Sequence, residues 1–472
     1  MAKSSKKQKE ENQDLVKKRF PKAIKFSKIF GPSFLILATG IGTGEIILWP
    51  LLASDYGLGL IWLALIGITF QYFINMEIER YSLVKGESVF VGLNRLFPWA
   101  PHWLIFSTFF TFAIPGTAAA SAQILGSVVG IQDFKWLAML LLLIIGFIVS
   151  IGKTVYQTLE KTLKYSLFIF IPLILIFVIY ISSASDWITL SRGFIGQGED
   201  YSWVPAGIVL ATLFGAFAYS GSGGNLNLAQ SSYVQEKGYG MGKYSPKIKS
   251  LFNKDAEEKV TLSGTEFDLT PGNIKNFKQW WKKISLEHLI VFWFLGLLMI
   301  TVFMMLAYLT AYGESPGKGI NFIINQGGII GNTFFPLIGK VFLIIIGLIL
   351  FESQLGIYDS ASRIISENYA LKTSKTKIKI SKLYYIVLWA QIALGIFLFL
   401  LGYYEPKNLI ILAAILNAFG MFVHVGLVNL MNHITLRKPF QASVFRKILM
   451  SIIFIVFGFF SIIVIAEHLP FI

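Results

Sequence analysis

Eleven apolar runs, spread from end to end, leave this chain little choice of fold. About 20 apolar residues span the hydrocarbon core of a bilayer as a helix. Runs of that order occupy approximately 30–53, 58–82, 101–128, 134–152, 163–183, 203–230, 287–312, 333–368, 381–403, 407–432 and 443–468. Inside lipid every backbone amide needs an internal partner, so segments of this kind cross as helices. The composition fits: 55% of the 472 residues are hydrophobic, 14% are charged and the mean hydropathy is +0.65. These values describe a polytopic membrane protein rather than a soluble enzyme. Cysteine is absent, which excludes disulfides and thiolate metal sites.

The net charge of +15 does not point to nucleic acid, because the basic residues sit in short segments between apolar runs. They act there as topology signals. Residues 1–29 hold ten Lys or Arg and read as a solvated or membrane-surface arm rather than a cleaved signal. With that arm inside, alternate loops carry Arg80, Lys85 and Arg95, then Lys153, Lys161 and Lys164, then ten lysines between Lys237 and Lys283. The Lys372 to Lys382 cluster follows, and then Arg437, Lys438, Arg446 and Lys447. The opposite loops carry only Lys135, Arg192, Lys318 and Lys407. The expected placement is therefore a multi-pass cell-membrane protein with its N-terminus cytoplasmic and its C-terminus outside. The long inner loop, 231–286, contains an aromatic and basic run around Trp280, Trp281, Lys282 and Lys283. This run predicts an interfacial helix lying on anionic lipid.

Two crossings break the helical pattern. The first holds Thr39, Gly40, Gly42, Thr43, Gly44 and an ionisable Glu45 at mid-depth. Gly40 and Gly44 also form a small-xxx-small pair that would serve helix packing alone. The sixth places three glycines, two serines and two asparagines between Tyr219 and Asn227. Interruptions five crossings apart are the sequence signature of an inverted-repeat transporter, with substrate bound between them near the midplane. The pair favours a site over packing, and an acid within the membrane is a functional candidate in its own right.

Several stretches resemble the Nramp family of metal-ion transporters: Gly31-Pro32-Ser33-Phe34-Leu35 with the break ten residues later, Gln71 through Gly86, and Ala361 to Leu371. The likeness covers nearly the whole membrane region. It implies a LeuT-type fold, all-α, with two inverted repeats of five helices, an eleventh helix added, and helices 1 and 6 broken. It also implies proton-linked uptake of divalent metal ions. Family members carry Asp-Pro-Gly-Asn in the first break and Met-Pro-His-Asn in the sixth helix. Here Gly42, Thr43, Gly44 and Glu45 fill the first motif, and Ser222, Gly223 and Gly224 precede Asn225 in the second. The sulfur ligand and the histidine of family proton handling are gone, which marks a divergent branch.

The organisation expected on this basis is a cytoplasmic arm (1–29), a first repeat (30–202), a second repeat (203–432) containing the basic loop 231–286, and a last helix with the C-terminus (433–472). Candidate substrate ligands are Thr39, Gly42, Thr43, Glu45, Tyr219, Ser220, Ser222, Asn225 and Asn227, with Glu45 and Asn225 as metal ligands. Oxygen and amide groups of this kind suit a hard ion such as Mg²⁺ or Mn²⁺. A small zwitterion, its amine on Glu45, fits a glycine-rich break as well. Glu352 aligns with a family glutamine near the site and reads as a relay or coupling-ion group, and Asn417 sits near another family glutamine position. Asp359 is expected to pair with Arg363 at i+4, and Glu77, Glu79 and Arg80 to form a gate or ion-pair network. His102, His288, His433 and His468 fall at membrane edges, where solvation explains them, whereas His424 lies deeper.

No Gly-rich phosphate loop, His-Glu-x-x-His motif or nucleophile–base pair occurs, so an enzyme is not expected and no cofactor is implied. The expected partners are a transported cation or small solute and membrane lipid, with no nucleic acid. The reading reached is a secondary-active metal-cation transporter. The alternatives are an ion-coupled carrier of a small organic solute such as an amino acid, or a non-transporting sensor on the same fold.

Overall fold

The computed structural model describes residues 17–151, 165, 168, 171–245, 264–313, 319–373 and 380–468. Residues 1–16 of the arm, lysines 153, 161 and 164, Lys318, the start of the fifth crossing, and the centres of the 231–286 and 372–382 basic stretches lie outside them. So does the side chain of His468.

Among the described residues the secondary structure is helical, with two isolated bridges and no strand. Eight helices among the described residues are long and apolar enough to cross a membrane, and a bent pair raises that to nine. The first crossing is Pro32–Tyr56, where Pro32 supplies the preset φ of a first turn and Gly57 (φ 74°) ends the helix. Every residue from Pro32 to Ser54 is buried, so this helix runs through the centre of the bundle. The second crossing is Ile61–Lys85, and the third is Ala100–Val129, kinked where Ala113 to Pro115 interrupt it. The kink at Pro115 follows from the hydrogen bond that proline cannot donate.

Lys135–Ile151 and Ile171–Ile181 follow, and then the sixth crossing in two halves, Leu210–Ala218 and Ala229–Lys237. The seventh is Pro271–Ala311, the eighth Pro336–Lys372, the ninth Ile380–Leu400, the tenth Pro406–Thr435 and the eleventh Val444–His468. Peripheral helices present Phe147, Ile148, Ile455, Phe459 and Ile462 outward, the apolar surface a helix turns to lipid.

Three expectations need correction. Crossing 1 is not unwound: its irregular part, Ile41–Leu48, is π-helical, and the chain stays hydrogen-bonded through it. Widening the helix at the glycines satisfies the amides that unwinding would strand in lipid. The 231–286 stretch is not all loop either. Helix Ala229–Lys237 enters it, and crossing 7 starts at Pro271, capped by Thr270, well ahead of the expected 287.

The third correction concerns the aromatic run. Trp280 is buried rather than laid on lipid: it faces Tyr239 with ring centroids 5.4 Å apart and donates to the Pro21 carbonyl at 3.1 Å. Trp281 carries the Arg80 guanidinium 3.8 Å above its ring. The arm from Lys17 onward is likewise not a solvated tail but a strap. Lys17 pairs with Asp268 at 3.0 Å, the Phe20 amide donates to Asn273 at 3.3 Å, and the Phe20 ring packs edge-on against Phe267.

Candidate functional site

The second irregular segment is fully broken. Helix Leu210–Ala218 stops at Tyr219, and a 3-10 turn, Gly224–Leu228, leads into Ala229–Lys237. Gly221 (φ 123°), Gly223 (φ 67°) and Gly224 (φ 56°) make the turn possible, because a side chain at these dihedrals would be strained. Gln71 of crossing 2 braces the gap: its Nε2 donates to the Ala218 carbonyl at 2.7 Å and its Oε1 accepts from the Gly223 amide at 3.0 Å. One side chain thus replaces the helix bonds lost on both sides of the break.

The π stretch of crossing 1 lies directly on this break. A Cβ at Gly40 would run into the Gly221 backbone, and one at Gly44 into the Tyr219 carbonyl. The small-residue pair therefore does serve close packing, but the partner it admits is the broken segment. Glu45 is fully buried at this contact, and neither carboxylate oxygen makes a hydrogen bond. A carboxylate held this way is costly to ionise, because no hydrogen bond around it offsets the loss of water.

The other candidates divide. Tyr219 takes a hydrogen bond from Asn417 on its hydroxyl, which ties crossing 10 to the break and leaves the Asn417 oxygen unbonded. Ser222 donates to the Asn227 amide oxygen, and Asn227 Nδ2 is left without a partner. Ser220 has a structural role, accepting from the Trp49 indole at 3.1 Å and donating to Ala216 at 3.2 Å. Thr39 and Gly42 face crossing 8 instead. Thr39 Oγ1 returns to its own helix at Ile36, its carbonyl accepts from Ser353 at 3.1 Å, and Gly42 leaves no room for a Cβ beside Ser353. Thr43 is buried in the same π stretch.

Asn225 turns toward crossings 3 and 10. Its amide donates to Ser107 at 2.7 Å and Thr108 at 3.0 Å, and its oxygen lies 3.4 Å from His424 Nδ1. These bonds commit Asn225 to a polar cluster of its own rather than to pairing with Glu45. Glu352 is half-buried on crossing 8, beside the buried Ser353 and Gln354. Gln354 accepts from Thr117 at 2.6 Å and closes the gap left by the Pro115 kink. Among the described residues, no three His, Asp or Glu side chains gather as a metal cluster. A cation at Glu45 would therefore draw the rest of its ligands from carbonyls, amides and water.

Toward the lysine-rich face, Asp359 and Arg363 form the expected i+4 pair at 2.9 Å, and Arg363 also meets Glu236 at 3.3 Å. Glu77 and Arg80 pair at 2.8 Å, with Arg446 3.3 Å from Glu77. Glu79 points elsewhere and accepts from Gln230. His288 is not a solvated edge residue: it is fully buried, with Nδ1 2.8 Å from the Ser33 hydroxyl. Gln71 was not legible as the brace of the break, nor Asn75, Glu287 and His288 as fully buried polar groups. Their one sequence signal is polarity inside an apolar run, which for Glu287 and His288 was hidden by their place at the expected membrane edge.

No protein-family model matches the chain, and no curated protein matches it. Solved structures do. A manganese transporter of Eremococcus coleocola, in a single-residue mutant form, superposes with a TM-score of 0.66 at 11% identity, covering 96% of this chain and 90% of that one. MhsT in complex with L-phenylalanine gives 0.52 at 15% identity over 93% and 98% of the two chains. Mhp1, a nucleobase-cation-symport-1 family transporter in a closed conformation with bromovinylhydantoin bound, gives 0.54 at 10% identity over 96% of each. At these identities the likeness is one of fold: the chain has the LeuT-type architecture.

Proposed function

We propose that this chain is a divergent Nramp-like secondary-active transporter, with its N-terminus cytoplasmic, that carries a metal cation across the membrane by alternating access. Glu45 is the charged ligand, and the cation is a hard, oxygen-preferring ion such as Mg²⁺ or Mn²⁺. The observation that carries this reading is the Glu45 carboxylate, buried and unbonded where the π stretch of crossing 1 meets the break of crossing 6. Gly40 and Gly44 bring those two backbones into direct contact, which argues against a bulky solute at this point. The available ligands are oxygens, which favour hard cations over those that seek imidazole or sulfur. The fold shared with a manganese transporter supports the same choice.

The test is uptake and binding by the purified protein in liposomes, comparing Mg²⁺, Mn²⁺, Ca²⁺ and Na⁺ with a pool of amino acids. Saturable divalent uptake, lost in Glu45→Gln, is the expected result. At a Mn²⁺ concentration of about 100 times the Kd of the Glu45 site, binding at that site should add about 2.7 kcal/mol of stability, a contribution that Glu45→Gln loses. Silence toward every metal together with uptake of an amino acid would replace the cation reading, with Glu45 then holding an amine.

A further inference from the structure

A second group of buried acids lies between the Glu45 site and the lysine-rich face. Gln71, Asn75 and Glu79 follow one another at four-residue spacing and so share one face of crossing 2. Gln71 meets crossing 6 at Gly223, and Glu79 meets it at Gln230. Asn75 therefore stands between them, along the part of crossing 6 that carries Asn227. Asn75 is fully buried with neither amide atom bonded, and Asn227 Nδ2 is equally without a partner.

Crossing 7 packs beside crossing 2 here, the Tyr72 hydroxyl donating to the Ser285 carbonyl at 3.3 Å and the Tyr72 and His288 rings lying 5.6 Å apart, and it carries the buried Glu287. Ser33 donates to Glu287 Oε2 at 2.5 Å and lies 2.8 Å from His288 Nδ1, while the His288 ring stacks on Phe292 at 4.7 Å. Glu77 is already matched by Arg80 and Arg446. Four oxygens are left without a hydrogen bond: Asn75 Oδ1, Glu79 Oε2, Gln230 Oε1 and Glu287 Oε1. They come from three helices that pack together, crossings 2, 6 and 7.

We infer that Glu79 and Glu287, with the amide oxygens of Asn75 and Gln230, form a second cation subsite, which receives the ion released from Glu45 on its way to the lysine-rich face. The inference rests on the transport reading above and deepens it. Its chemistry is specific. Glu45 alone offers one negative charge, whereas this pair offers two in an all-oxygen setting, the donor set of a hard dication. Two carboxylates left partly unbonded in a dry interior are costly, and a bound dication removes that cost in a way that a monovalent ion matches only by half.

The experiment is equilibrium binding of Mn²⁺ to the full-length protein, paired with Mn²⁺ uptake in liposomes. The wild type should bind two Mn²⁺ per chain. Glu79→Gln with Glu287→Gln should bind one and transport at least about tenfold more slowly, and Glu45→Gln should keep the inner ion. Asn75→Ala, which removes a neutral ligand and no charge, should weaken the inner site about tenfold and leave the outer one unchanged. Wild-type stoichiometry and flux in the double variant would overturn the inner subsite. If that variant does not fold, unchanged inner affinity in Asn75→Ala overturns it instead. A wild type that binds a single Mn²⁺, lost in Glu45→Gln, overturns the subsite and leaves the transport reading standing. A wild type that binds no Mn²⁺ removes both.

Discussion

Asp359 offers the sharpest test of how the lysine-rich end is held together. Its two oxygens accept from Arg363 Nε at 3.0 and 2.9 Å, from the Tyr233 hydroxyl at 2.9 Å and from the Tyr384 hydroxyl at 2.5 Å. One carboxylate thus ties crossing 6, through Tyr233, to crossings 8 and 9. In Asp359→Asn one oxygen becomes a donor, facing groups that are themselves donors, and Arg363 loses its nearer counter-charge. Hydrogen bonds to charged groups are worth about 1.5–3 kcal/mol each. Removing one partner of a buried pair costs roughly 3–5 kcal/mol. Glu236 remains 3.3 Å from Arg363 and still neutralises part of its charge, which selects the low end of that range.

The expected loss is about 3 kcal/mol, roughly a hundredfold in the folded-to-unfolded ratio. The assay is reversible unfolding of the purified protein in mixed micelles, titrated with a denaturing detergent. Replacing all three charges, as Asp359→Asn, Arg363→Met and Glu236→Gln together, should recover most of the loss, because neutral isosteres avoid the desolvation cost. An Asp359→Asn variant within about 0.5 kcal/mol of wild type would refute the account, since surface-like behaviour is incompatible with a buried ion pair.

Two further substitutions probe the other contacts. Gly44→Ala places a methyl group against the Tyr219 carbonyl and should cost about 1–3 kcal/mol as crossing 1 is pushed off the break; wild-type unfolding in that variant would show that the two backbones are not in contact. Trp280→Ala removes a buried indole and its bond to Pro21, costing roughly 3–5 kcal/mol, and should free the strap. Trypsin would then cut between Lys17 and Lys28 far faster than in wild type, and an unchanged digestion rate would argue against the strap.

The crossings were legible because hydropathy is a local property, and most apolar runs among the described residues are helical near their expected limits, with crossing 7, which starts at Pro271, the clearest exception. The break of crossing 6 was legible for the same reason: a run of glycine, serine and asparagine cannot hold a helix in any surroundings. Crossing 1 was harder to read. Whether Gly40 to Gly44 unwind, stay α-helical or widen into a π-helix depends on the backbone packed against them, and that backbone lies about 180 residues away in sequence. Trp280 was misread because aromatic and basic side chains suit a lipid interface and a docking surface equally, and the choice turned on Phe20 and Pro21. Of the site, Glu45 could be singled out as an acid at mid-depth. The proposed partnership of Glu79 and Glu287 could not, since nothing local to either residue names the other.

The strap has a consequence for how the protein is made. The bond between the Phe20 amide and Asn273 joins positions 253 residues apart. At roughly 5–20 residues per second, a ribosome takes roughly 10–50 s to deliver Asn273 after Phe20 has emerged. Throughout that interval crossing 1 sits in the bilayer without the loop that fastens its leading end and, for most of it, without the segment that covers Glu45. Only its own hydropathy holds it there. The most deeply enclosed helix of the finished protein is therefore the first to enter the membrane and among the last to be locked in place, and the carboxylate at its centre waits in lipid for partners not yet synthesised.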